Sequence, residues 1–198
     1  EAFQRAVSED RFNRAAGVKK EIDFAAKREP IAGVIVDAMA KGLIPERITH
    51  NDTKFNNVML DVVTGEAMCI VDLDTVMPGC ALYDFGDMVR TTTSPAKEDE
   101  RDLSKVTMAF PMFEALVRGY LETAREFLTP GERRQLAFSG RLITFENGIR
   151  FLTDYLAGDT YYKIHRPGHN LDRTRTQFRL IESIEQQTKA MEKLVASI

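Results

Sequence analysis

The chain has 198 residues, a formal net charge of -3, 43% hydrophobic residues and 29% charged residues. That length suits one domain with a core of useful size, and the charge offers no bulk attraction to nucleic acid. There is no run of 18 apolar residues to span a membrane, and the opening Glu1-Ala2-Phe3-Gln4-Arg5 is not a signal peptide. The two cysteines, Cys69 and Cys80, and three scattered histidines make neither a disulfide framework nor a zinc spacing, which favours a reducing, cytoplasmic setting.

In chain order, residues 1–16 read as the end of a helix or a loose lead-in. Ile22, Phe24, Ala25, Ile31, Val34, Ile35, Ala38 and Met39 recur at three- and four-residue steps and predict a helix over 19–41. Pro30 splits or kinks it, and Gly42 and Pro45 end it. Ile48-Thr49-His50 is an extended entry to a loop. Residues 57–62, the Thr64-Gly65 turn and the apolar run 67–71 predict a β-hairpin. Pro78-Gly79 reads as a second turn and 83–91 as the start of another helix. An amphipathic stretch over 99–127 is expected to hold two helices separated at Pro111. Thr129-Pro130-Gly131-Glu132 carries an N-cap, a proline at the first helical position and an acid in the first turn. That helix runs to about Tyr155. Gly158-Asp159 breaks it, 166–170 form a loop, and a last helix covers about 171–195. The expected class is α+β, mainly α-helical, with no internal repeat.

The chemistry concentrates in His50-Asn51-Asp52-Thr53-Lys54-Phe55-Asn56-Asn57, which reads H-x-D-x-x-x-x-N, followed by Ile70-Val71-Asp72. Phosphoryl transfer needs a carboxylate to orient the attacking hydroxyl and oxygen ligands that hold magnesium on the nucleotide phosphates. Asp52 fits the base. Asn57 and Asp72, brought together by the hairpin, fit the metal ligands, since magnesium prefers few protein oxygens plus waters and phosphates. Strand alternation puts Asp74 on the same face as Asp72, in reach of a second metal or a metal water. Alone, each piece is commonplace. An Asp-x-x-x-x-Asn seldom means catalysis, and an acid pair is more often a turn or a solvated face. Their order and the hairpin joining them point to phosphoryl transfer.

These motifs resemble the aminoglycoside phosphotransferase and choline kinase superfamily, small-molecule kinases with a protein-kinase-like fold. Residues 49–60 and 71–79 are similar to the N-acetylhexosamine 1-kinases, as are 148–161, His169-Asn170-Leu171 and Arg173-Thr174-Arg175-Thr176-Gln177-Phe178. The resemblance covers about residues 45–190. It implies an ATP- and Mg2+-dependent kinase that phosphorylates the anomeric hydroxyl of an N-acetylhexosamine. It also implies that Lys54 stabilises the transferring phosphoryl group, with a solvated lysine as the bland alternative, that Arg150 and Tyr161 contact the sugar, and that His50 and Asp84 support the loop. Arg offers five donors and Tyr a flat face with a hydroxyl. The bland alternative for Arg150 is an ion pair with Glu146 or Asp154, four residues to either side. Asp84-Phe85-Gly86 spells the protein-kinase magnesium motif, but the metal Asp of such folds ends the hairpin after the loop Asn. Asp72 does so, and Asp84 is therefore expected to be structural, with Asp87 a further candidate for that role. Thr91-Thr92-Thr93-Ser94 departs from the family, which carries aromatics near the sugar there.

Residues 1–44 are expected to be a helical lead-in and 45–198 the phosphotransferase C-terminal lobe. That lobe comprises a catalytic loop over 49–57, a metal hairpin over 58–74 and a helical substrate subdomain over 99–198. No glycine-rich nucleotide loop and no strand with an ATP-binding lysine precede His50, so the N-terminal nucleotide lobe is expected to be missing and these residues alone to be inactive. The partners expected are ATP and a small-molecule sugar, not nucleic acid or membrane. Another small acceptor (a different sugar, homoserine, choline or an aminoglycoside) stays open within the class. So does a non-catalytic kinase-like binding module, although it would not be expected to keep Asp52, Asn57 and Asp72. A helical interaction domain does not account for three ordered motifs.

Overall fold

The computed structural model describes residues 1–198. The chain is mostly helical with two small antiparallel sheets. Helices α1 (Ala2–Glu9), α2 (Lys19–Arg28) and α3 (Val34–Ala40) come first. Pro30 ends the first of the two expected helical halves. It sits in a short 3-10 turn, Glu29–Ile31, between α2 and α3, because a proline lacks the N–H that an α-helix interior needs.

Four short strands follow. β1 (Arg47–Thr49) pairs with β4 (Met77–Gly79), and β2 (Val58–Leu60) pairs with β3 (Ala67–Ile70). The β2–β3 hairpin matches the expectation of a hairpin, with Val58 opposite Ile70 and an irregularity at Met59–Leu60. Pro78-Gly79 is not a turn: Pro78 lies opposite Ile48 inside β4. A two-stranded ladder consists only of edge strands, where a proline is tolerated. Gly79 is required there, because a Cβ would stand 2.3 Å from the Thr49 hydroxyl and 2.7 Å from Asn51 Oδ1.

The remainder is a helical body of α4 (Ala81–Thr92), α5 (Phe110–Ala124), α6 (Pro130–Leu156) and α7 (His169–Ser197). Residues 99–109 are not the first half of a divided helix. They hold one 3-10 turn, Leu103–Lys105, which the Asp102 side chain caps by accepting from Ser104 N–H. Such local side-chain bonds compete with helix. Pro111 sits in the first turn of α5, so it opens that helix rather than separating two.

α6 begins as its sequence dictates. Thr129 Oγ1 accepts from Glu132 N–H, and the Glu132 carboxylate accepts from Thr129 N–H. Glu132 is fully buried and also accepts from Arg47 Nε at 2.7 Å and Nη2 at 2.8 Å, tying β1 to the body. Burial opposes ionisation of Glu132, but the Arg47 and Thr129 hydrogen bonds overcome it and hold the carboxyl below its ordinary range. Leu136, Gly140, Ile143, Phe151 and Leu152 line the inner side of α6 at helical spacing. The main core joins α4, α5, α6 and α7 through Phe85, Val89, Phe113, Leu121, Leu136 and Ile184, and a second cluster around Phe145, Leu152, Phe178 and Ile181 receives Val18 and Ala25 from the N-terminal segment. No helix is long and apolar enough to cross a membrane.

Candidate active site

The loop between β1 and β2 is held by polar pins. Asp84, in the first turn of α4, accepts from His50 N–H at 2.9 Å and Asn51 N–H at 2.8 Å. The Asp84 carbonyl accepts from the Thr53 hydroxyl at 2.6 Å, and Thr75 donates its hydroxyl to His50 O. Asn51 adopts a left-handed conformation with φ 63°, and its amide donates to Thr75 O. The neighbours of Asp84 also have jobs in packing. Phe85 is fully buried, its ring 4.8 Å from that of Tyr120. A Cβ on Gly86 would meet the Ser139 carbonyl at 2.5 Å, so Gly86 lets α4 approach α6 closely. Asp84-Phe85-Gly86 is thus loop brace, core anchor and close-packing glycine in turn.

His50 sits partly buried with Nε2 3.2 Å from the Val71 carbonyl, one residue before Asp72. Its Nδ1 is buried without a partner. Asn57 is buried, and its amide donates to the Asp52 carbonyl at 2.9 Å and to Asp52 Oδ2 at 3.0 Å. Asn57 Oδ1 enters no hydrogen bond, while Val71 N–H donates to Asn57 O at 2.9 Å and so brings the end of β3 beside Asn57. Asp72 follows in a left-handed conformation with φ 68° and makes no hydrogen bond. Its one charged neighbour is Lys54 Nζ, at 3.8 Å.

Lys54 Nζ lies 2.6 Å from Asp52 Oδ2, which places a cation between base and metal candidates. The hydrogen bond to Asp52 raises the Lys54 pKa against the opposing effect of partial burial, with Asp72 and Asp87 adding to the rise. Asn57 Oδ1 and the Asp72 carboxylate are uncommitted oxygens, a donor set that fits magnesium sharing phosphate oxygens and waters. No group of three or more His, Cys, Asp or Glu side chains converges as a metal cage. The expectation for Asp74 loses its basis. Residues Leu73–Thr75 form a 3-10 turn rather than a strand, so no alternation aligns Asp74 with Asp72, and Asp74 enters no hydrogen bond or ion pair.

A cleft of about 250 Å³ opens beside Asp52 and runs between α4 and α6. Asp52, Asp87, Arg90, Glu146, Asn147 and Arg150 supply its polar lining, with Tyr83 and Ile143. Arg150 approaches Glu146 only at 4.0 Å, and its side chain is about half exposed. Asp154, the other partner weighed for it, is engaged elsewhere: it is buried and accepts from the N–H groups of Thr160, Tyr161 and Tyr162. This leaves the Arg150 donors largely free toward the cleft. Tyr161 is not brought to Asp52. Its side chain is exposed and lines a separate cavity of about 600 Å³ that shares Arg150 as a wall.

Sequence reasoning missed Arg90, Asn147 and Tyr83 as cleft residues and gave Glu146 only as a partner for Arg150. The available signal was helical spacing. Tyr83, Asp87 and Arg90 share one face of α4, and Ile143, Glu146, Asn147 and Arg150 share one face of α6. What was not available was that the two faces meet across Asp52. Comparison with known protein families adds one match: the model of the phosphotransferase enzyme family (APH) matches residues 2–125, more than half of the chain.

Proposed function

The chain belongs to the phosphotransferase enzyme family, and from that premise we propose that it is an ATP-dependent kinase for a sugar hydroxyl, the anomeric 1-hydroxyl of an N-acetylhexosamine before others. The observation that carries this reading is the cleft joining Asp52 to Arg150. It lines a space for one small polar acceptor with the Asp52 carboxylate and with Arg150 donors that only a loose 4.0 Å pair with Glu146 engages.

The acceptor hydroxyl lies against Asp52 and its oxygen attacks the γ-phosphorus in line. The bond to the β-phosphate oxygen breaks, ADP leaves, and the hydroxyl proton passes to Asp52. The Asn57 amide holds the Asp52 carboxylate in orientation, through two hydrogen bonds that fix the loop. Lys54 pairs with Asp52 before the reactants arrive and turns toward the γ-phosphate oxygens as charge develops on them. Asn57 and Asp72 would hold magnesium, which neutralises the nucleotide phosphates when bound. His50, through the Val71 carbonyl, and Asp84, through the backbone of 50–51, position these groups. Arg150 and Asn147 orient the sugar, and Tyr161 contacts only an acceptor that reaches past Arg150.

The hairpin supports a two-lobed arrangement for the nucleotide, with the present chain as the C-terminal lobe of a kinase-like fold. Met59, Met68, Ile70, Leu73 and Met77 are all exposed around the metal ligands. An apolar surface of that kind is where a nucleotide base and a second lobe would pack. These 198 residues alone are therefore expected to bind ATP weakly.

Asp52→Asn tests the reading. The substitution keeps the shape and removes the base, so in a full-length protein that carries the nucleotide lobe turnover should fall about 10³-fold while calorimetric affinity for the sugar stays within about threefold. Retained turnover would refute Asp52 as base. Glu146, exposed and only loosely paired, favours an amino-bearing acceptor as the second reading. The assay therefore sets N-acetylglucosamine and N-acetylgalactosamine against homoserine, choline and an aminoglycoside, and transfer to the aminoglycoside alone would replace the first reading with the second.

A further inference from the structure

A second cavity, of about 400 Å³, lies on the other side of Arg90 from the Asp52 cleft. The Arg90 side chain is 9% exposed and rigidly held. Its Nε donates to Asp87 at 2.8 Å and its Nη1 to Glu98 at 3.0 Å. Arg90 lines both spaces, and the cavity also touches the catalytic loop at Lys54 and Asn56.

Most charges around this cavity are already neutralised. Arg90 is paired with Asp87 and Glu98, Glu98 also lies 3.5 Å from Arg173, and Lys54 is paired with Asp52. Four polar groups keep hydrogen-bonding or charge capacity to spare, the first being the Asn56 amide, which enters no hydrogen bond. Gln177 is 3% exposed and its Oε1 has no hydrogen bond. The Ser94 oxygen accepts from Ala96 N–H at 3.3 Å, but its proton goes to no acceptor. The Lys97 ammonium makes no ion pair. An anion would gain from Lys97 but would face Glu98. A hydroxyl both donates and accepts, so it serves the Ser94 hydroxyl, the Asn56 amide and the unpartnered Gln177 Nε2 alike. Leu180 and Ala96 add apolar surface suited to the C–H face of a ring.

We propose that this cavity is a second acceptor subsite, holding a hydroxyl-rich extension such as the second ring of a disaccharide whose first ring occupies the Asp52 cleft. The proposal rests on the sugar-acceptor reading above. The volumes leave room for it: about 250 Å³ holds one ring, and the second space, at about 400 Å³, holds another. The predicted acceptor is thus larger than the monosaccharide the first cleft admits, with Arg90 as the divider both rings touch.

The test is calorimetry without nucleotide, titrating N-acetylglucosamine and its 3-, 4- and 6-linked disaccharides into the wild-type chain, Ser94→Ala and Gln177→Leu. At least one disaccharide should bind about tenfold tighter than the monosaccharide. Each substitution should weaken that disaccharide by about three- to tenfold, the value of one lost hydrogen bond, and leave the monosaccharide within about twofold. Ser94 lies outside the core, so its variant reads out even where Gln177→Leu fails to fold. Equal affinity for all the sugars, or equal weakening of both classes, overturns the subsite while leaving the kinase reading intact. Failure of every sugar to bind, with transfer to a non-sugar acceptor, overturns the subsite together with its premise.

Discussion

The helical body and the segment from β1 to β4 are stabilised by different means. In the body, Phe85, Phe113, Leu136, Leu152 and Ile181 are buried to 3% exposure or less, and the helices hold one another by removing apolar surface from water. In the 47–79 segment every residue of β3 is exposed, and Val62 and Val63 stand 99% and 88% exposed. A two-stranded hairpin is marginal alone, so this segment keeps its shape through the Asp84 carboxylate, the Thr53 and Thr75 hydroxyls and the Arg47–Glu132 pair. The chemistry-bearing loop is therefore a set of polar pins fixed to an apolar platform. Stability and catalysis should respond to substitution separately.

The largest effect on stability is expected where a pin enters the platform. Glu132→Ala leaves Arg47 without its carboxylate partner and breaks the Glu132 half of the α6 capping box, at a cost of about 3 kcal/mol in denaturant unfolding. A cost below 1 kcal/mol would mean that β1 is not anchored through this pair. Asp84→Ala should separate the two regions most clearly. It frees the His50 and Asn51 N–H groups on a loop outside the core, so unfolding should shift by about 1–2 kcal/mol. Turnover in the enzyme should fall by about 10²-fold, because misplacing the catalytic loop by about an ångström is enough for that. A proportionate loss of both would show that loop and body unfold as one unit.

A smaller effect is expected from pH. His169, buried at the start of α7, places Nε2 3.0 Å from Asp99 Oδ2, and its Nδ1 accepts from His165 N–H at 3.2 Å. Burial pushes its pKa below the ordinary 6.5, helped by Arg173 and Arg166 and opposed by Asp99. The unfolded chain therefore binds a proton at a pH where the folded chain does not. This contribution is fully present above about pH 6.5 and is lost as pH falls through the lowered folded value. Melting temperatures from pH 8 to 5 should drop more steeply for the wild type than for His169→Gln, and parallel profiles would dismiss the effect. The smallest change belongs to the hairpin tip. Val62→Ser should alter stability by less than about 0.5 kcal/mol, because nothing in the chain covers that side chain. A larger loss would reveal packing in solution that the exposure of Val62 excludes.

Local signals carried much of the fold. Thr129 and Glu132 cap α6 as their spacing dictates, Gly158-Asp159 ends it with two positive-φ residues, and Thr64-Gly65 turns the hairpin. Where the signal needed distant partners, it failed. The apolar run 67–71 specified a strand but not a buried one. Pro78 looked like a turn because its β1 partner lies 30 residues earlier in the chain. Asp74 was aligned with Asp72 by a strand geometry that the left-handed Asp72 interrupts.

The sequence by itself determined the H-x-D-x-x-x-x-N loop as a motif, the capped start of α6 and the mainly helical class, because caps, turns and short loops depend on neighbours a few residues apart. The tertiary structure decided which side chains share a space with Asp52. Arg90 and Glu146 come from different helices and meet only because Gly86 and Gly140 let α4 and α6 approach closely. It also supplied the means by which Asp84, expected from the sequence to support the loop, does so: the His50 and Asn51 N–H groups that it accepts from lie more than 30 residues away.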